Sequence, residues 1–125
     1  MESPNPVVHY EIMCGPGQDV AAHRKFYADT FGWKYDIVPE MDYAMVNVAP
    51  GTGVGGSVGA SPSGPYAVVY IAVDDPVAYL AKAVANGAEK LMDVETIPGM
   101  VTFAMFKDLA GNVIGIVANE PPPAP

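Results

Sequence analysis

His9 and Glu11 stand two residues apart in the apolar run Val7-Val8-His9-Tyr10-Glu11-Ile12-Met13-Cys14. In an extended chain, residues two apart point to the same side. An imidazole that titrates near neutrality beside a carboxylate, whose pKa rises in apolar surroundings, is a pair able to exchange a proton with a bound molecule. A matching run, Val68-Val69-Tyr70-Ile71-Ala72-Val73, comes 59 positions after the His9 position and carries neither group. Any chemistry is therefore concentrated in the first run. Tyr70 is the third candidate catalytic residue, as a phenol, although packing is its plainer role. His9 has a plain reading too, as a half-buried histidine bonded to a neighbouring strand or water. Glu11 would merely meet solvent if its strand lay at an edge.

Two copies of one unit are expected to position these residues, spanning about 7–59 and 66–119. The first opens with the strand above and turns at Gly15-Pro16-Gly17-Gln18. Asp19 then caps a helix with Val20, Tyr27 and Phe31 on its apolar side, Arg24 and Lys25 between them, and Gly32 as its stop. Three strands are expected at 33–38, 43–48 and 54–58, the first two separated by the turn Pro39-Glu40-Met41-Asp42. A linker-like stretch, Gly59 to Pro65, precedes the second copy. There Asp75 caps a helix, Pro76 takes its first position, and Val77, Leu80, Ala81 and Val84 form the expected buried stripe. Asn86-Gly87 ends it, and strands follow at 90–96, 100–107 and 113–118. The tail Glu120-Pro121-Pro122-Pro123-Ala124-Pro125 is expected to be extended or disordered.

Strand, helix, three strands, twice over, with Phe26-Tyr27 before Phe31-Gly32-Trp33, Val73-Asp74-Asp75 closing the fifth strand and Asp108-Leu109-Ala110-Gly111-Asn112 before the last, resembles the vicinal oxygen chelate superfamily. That superfamily includes glyoxalase I, bleomycin-resistance proteins and extradiol dioxygenases. The resemblance covers about Val7 to Asn119. It implies an α+β fold in which two βαβββ repeats form curved mixed sheets around a cup, with the helices outside, in a single domain over residues 1–119. It implies less about activity, because function resides in the site rather than the scaffold.

Alternation assigns the faces. Val8, Tyr10, Ile12 and Cys14 should pack under the first helix, and Val69, Ile71 and Val73 under the second. The opposite face then carries the candidate lining: His9, Glu11, Met13, Tyr43, Met45, Asn47, Tyr70, Phe103 and Met105, mostly aromatic and thioether. Metal-dependent members of the superfamily place ligands at four strand positions. Carried over, these fall on His9, Ser57, Val68 and Gly115. Valine and glycine offer no donor, so no metal and no cofactor is expected. Cys14 reads as an inert buried thiol, and His23 as a solvated helix residue.

Composition limits the partners. A net charge of -8 with six scattered basic residues leaves no patch to neutralise phosphates, which argues against nucleic acid or an anionic membrane. The opening Met1-Glu2-Ser3-Pro4 has neither the charged nor the apolar region of a signal peptide, and one cysteine allows no internal disulfide, so a cytoplasmic protein is expected. The resemblance adds an expected homodimer. Two functions from different classes fit. One is a metal-independent binding protein of the resistance or sequestration type, enclosing a small apolar or aromatic metabolite. The other is a glyoxalase-, lyase- or isomerase-type enzyme with His9 and Glu11 as acid and base or as partial metal ligands.

Overall fold

In the computed structural model, residues 5–39 and 43–124 are described. The expected turn at Glu40-Met41-Asp42, the opening Met1-Glu2-Ser3-Pro4 and the last residue, Pro125, fall outside them. The architecture is α+β, built from two βαβββ modules as expected. The chain forms two compact units, one spanning His9–Val68 and the other combining the residues up to Val8 with those from Val69 onward.

In the first unit β1 (Val7–Cys14) leads into α1 (Val20–Phe31), followed by β2 (Tyr35–Val38), β3 (Tyr43–Val46) and β4 (Gly56–Ala60). The strand order is β2-β3-β4-β1, with β4 parallel to β1 and antiparallel to β3. Asp19 caps α1 through Oδ1, which accepts from the amides of Ala21 and Ala22, and Gly32 ends it at φ 73°, a left-handed cap that suits glycine. The sheet-facing side of α1 is Val20, His23, Arg24, Tyr27 and Ala28, whereas Phe31 is 62% exposed. Two expectations change accordingly. Phe31 lies outside the packed side, and His23 is half-buried, its ring edge-on to Tyr27 at 5.5 Å. Arg24 also turns inward, donating from Nε to the Val58 carbonyl at 2.8 Å, while the Tyr35 hydroxyl donates to the Arg24 carbonyl.

Strand β4 begins two residues later than expected. At its first residue Tyr10 pairs with Gly56, and a Cβ at Gly56 would meet the Tyr10 ring at 2.5 Å, so a glycine must stand there. The bond from the Ser61 amide to the Cys14 carbonyl extends the β1–β4 pairing by one residue.

The second unit contains β5 (Tyr66–Val73) from Val69 onward, α2 (Pro76–Ala85), β6 (Glu89–Lys90), β7 (Glu95–Ile97), β8 (Val101–Lys107) and β9 (Val113–Ala118). The order is β5-β9-β8-β6, with β7 also on β8. The strand expected at 90–96 is two short ones. From Lys90↔Phe106 to Glu95↔Phe103 one strand advances five residues and the other three, which is a bulge in an edge strand. Helix α2 starts as expected, with Asp75 capping the amides of Val77 and Ala78 and Pro76 in the first turn. Its buried side is displaced from the expected one. Pro76 and Leu80 are buried, Tyr79 and Ala83 partly so, and Val77 is 64% exposed. Leu80 joins Val73, Ala104 and Ile116 in a core that Ile71, Tyr79 and Phe106 enclose. The tail has no regular structure, but it is held: the Gly99 amide donates to the Pro123 carbonyl at 3.0 Å.

Candidate functional site

The site is built on the face of the first unit that turns away from α1. Tyr10 points to the helix side, its ring 6.1 Å from Trp33, which stacks on Tyr27 of α1 at 5.1 Å. Alternation then sends His9, Glu11 and Met13 to the other face. Register extends that face across the sheet, because Glu11 pairs with Ser57 and Ser57 with Met45. Tyr43, two residues before Met45 in β3, stands on it too, while Ala44 and Val46 are buried on the opposite side.

Here Tyr43 joins His9 and Glu11. Its hydroxyl lies 2.9 Å from His9 Nε2 and donates to Glu11 Oε2 at 3.2 Å. A phenol has one proton; with that proton on the Glu11 bond, the His9 tautomer that completes the chain is the one that donates from Nε2. The result is a directed relay, imidazole N–H to phenol O–H to carboxylate. Burial is the larger influence on His9 and lowers its pKa from the usual 6.5, and the nearby Glu11 charge opposes it only in part. Burial likewise lifts the Tyr43 phenol far above its usual range, with Glu11 adding to the effect and Ser57 opposing it. Near neutral pH the relay therefore holds a neutral imidazole and an un-ionised phenol. Its Glu11 end can accept a proton, and at its His9 end the unprotonated Nδ1 can accept a hydrogen bond.

Ser57 is the buried floor of this group at 1% exposure, and its hydroxyl has no well-formed hydrogen bond. Tyr66 lies within electrostatic reach of Glu11: burial first and the Glu11 charge second raise its phenol pKa, and a hydrogen bond with Ser61 opposes them. The sequence reading placed neither in the lining. Tyr66 was detectable, since it is two residues before Val68 and so shares the alternation that selected Tyr70. Met13 and Met45 are half-buried on the same face. Asn47 is not brought in, since it lies one residue past β3 and is exposed.

Three other candidates gather in the second unit, on the face away from α2. Tyr70 pairs with Gly115 and Gly115 with Met105, and the Tyr70 and Phe103 rings are 6.5 Å apart. Tyr70 is 6% exposed and packs directly over Gly115.

Residues 7–49 match the family described as bleomycin resistance protein-like N-terminal. A glyoxylase-like domain-containing protein of Didymella fabae is 34% identical over 111 residues, covering 81% of this chain and 86% of that protein. The chain belongs to the vicinal oxygen chelate superfamily. Its fold is shared with methylmalonyl-CoA epimerase from Streptomyces coelicolor, solved with 2-nitronate-propionyl-CoA, at TM-score 0.62 and 18% identity over 93% of this chain and 98% of that one. The epimerase from Mycobacterium tuberculosis aligns at TM-score 0.63 and 17% identity, over 100% of this chain and 94% of that one. A superfamily member from Vibrio splendidus aligns at 0.61 and 18% over 92% and 99%.

The divalent metal typical of many vicinal oxygen chelate proteins does not fit these residues. Of the four positions that would hold it, Val68 and Gly115 have no donor, and a Cβ on Gly115 would come well inside 3.0 Å of the Tyr70 ring. His9 already engages Tyr43 through Nε2. Among the described residues no three of His, Cys, Asp and Glu cluster as a metal site would require.

Proposed function

We propose that this vicinal oxygen chelate protein is a metal-independent binder of a small apolar or aromatic metabolite, held against the His9–Tyr43–Glu11 face. The observation that carries this reading is the relay itself, set between Met13 and Met45 above the buried Ser57 hydroxyl. Thioethers supply adaptable apolar contact, and the few polar groups orient the ligand. The protein is expected to act in the cytoplasm as a homodimer, without nucleic acid or membrane partners. The test is a thermal-shift screen of small aromatic and apolar metabolites on chelator-treated protein, followed by calorimetry on the hits. Tyr43→Phe should weaken a hit roughly tenfold, the scale of a hydrogen bond to a charged network. Binding that appears only after metal is restored would overturn the proposal.

A second reading has its own support, because a directed proton relay exceeds what retention of a ligand requires. In this reading the protein is a metal-free lyase, isomerase or epimerase in which Glu11 and His9 move a substrate proton. Solvent deuterium incorporation into a bound candidate substrate would reveal it. His9→Ala or Glu11→Gln should then slow exchange by about 100-fold, as for a lost general acid or base. Equal exchange in both variants would remove the pair from the mechanism.

A further inference from the structure

The second unit contains an open cleft of about 320 Å³ on the opposite side of its sheet from Tyr70, between α2 and the strands, with Asn5 also on its wall. Ile71, Val73 and Phe106 line its floor, and Tyr79, Lys82 and Asn86 of α2 and its cap stand at the wall and mouth. Sites for small ligands are mostly apolar clefts with a few polar groups that fix orientation. This one is about twice the 150 Å³ cavity that accommodates benzene. Its origin is local. Between Tyr79 and Asn86, α2 faces the space with Ala83, too short to fill it, while the larger Val77 and Val84 are exposed.

The mouth has a sign. Lys25 and Lys90 each pair with an aspartate, whereas the Lys82 ammonium lies 5.6 Å from the Tyr79 ring centroid and has no carboxylate partner among the described residues. In a chain of net charge -8, an unpaired cation above an apolar floor complements one kind of small molecule: an apolar tail ending in a carboxylate. We propose that this cleft binds a small monocarboxylate with an apolar tail of about a dozen non-hydrogen atoms in all, as scaling from the benzene cavity suggests. The tail lies on Ile71, Val73 and Phe106, and the carboxylate meets Lys82 with Asn86 beside it. This site shares no residue with the relay of the first unit.

Decanoate is the probe, followed through the methyl resonances of isoleucine and valine in the intact protein. Saturable shifts at Ile71 and Val73 are expected. Lys82→Met should weaken decanoate about fivefold, the upper range for an exposed ion pair, and leave the uncharged analogue decanol unchanged. Ala83→Phe should fill the space and abolish both responses while keeping a cooperative thermal transition. Absence of saturable shifts in the wild type, or undiminished binding in Ala83→Phe, would overturn the proposal. So would equal loss of decanoate and decanol in Lys82→Met, since the ammonium would then not be reading the carboxylate.

Discussion

Burial and a neighbouring carboxylate act on His9 in opposite directions, and burial prevails, leaving its folded pKa below 6.5. The unfolded chain then holds the imidazole proton more tightly than the folded one. Stability from this residue is complete above about pH 6.5 and declines as the pH falls through the window just beneath it. His9→Gln should therefore flatten the acid side of a plot of urea midpoint against pH between about 7.5 and 5.5. Parallel curves for the two proteins would show that His9 does not titrate on unfolding. A second residue-scale outcome concerns Gly115, where Gly115→Ala should cost about 1–3 kcal/mol by overpacking against Tyr70, measured by denaturant unfolding. Adding Tyr70→Leu should return part of that loss. Alternation in one strand was enough to place His9 and Glu11 on one face and Tyr70 on its own. It could not reveal that Tyr43 bridges the pair across 34 and 32 positions of sequence, because that depends on the register of β3 on β4 and of β4 on β1. Ser57 and Arg24 were hidden for the same reason: their roles are set by partners in space.

Capping chemistry defined the helices well, since a side-chain acceptor and a left-handed glycine are local requirements. Asp19→Ala and Asp75→Ala should each cost about 1 kcal/mol, seen as a melting temperature lower by several degrees. An unchanged transition would mean that the exposed amides are served equally well by water. The rotation of each helix was less legible. In α2 the set Val77, Leu80, Ala81 and Val84 and the set Pro76, Tyr79, Leu80 and Ala83 have the same spacing, and a helix apolar on nearly all sides does not distinguish them. In α1 a histidine and an arginine occupy the sheet side because each finds a use there, His23 edge-on to a ring and Arg24 at a strand carbonyl. The break between β6 and β7 was similarly invisible, since a bulge adds residues without altering the apolar pattern.

At the scale of the molecule, duplication was the most legible property, because two copies report the same pattern independently. The donor set follows from the differences between those copies. Zinc, nickel, iron(II) or manganese should leave the melting temperature unchanged, whereas a metal at 100 times its dissociation constant would add about 2.7 kcal/mol. Assembly is a further expectation. Phe26, Phe31, Val77 and Leu109 present exposed apolar surface, and light scattering should find twice the 13.1 kDa of one chain. A mass of 13.1 kDa at working concentrations would exclude the dimer.

The order β5-β9-β8 puts the last strand of the chain between two that are made earlier. Synthesis runs from the N-terminus, so until residues 113–118 emerge from the ribosome, β5 and β8 have no common neighbour and the face of α2 has only part of its floor. The Gly99 amide waits longer still, for the carbonyl of Pro123. Folding of this unit therefore waits for β9. Nascent chains stalled before β9 should remain open to protease between Val69 and Lys107, and become resistant there once residues 113–123 have emerged.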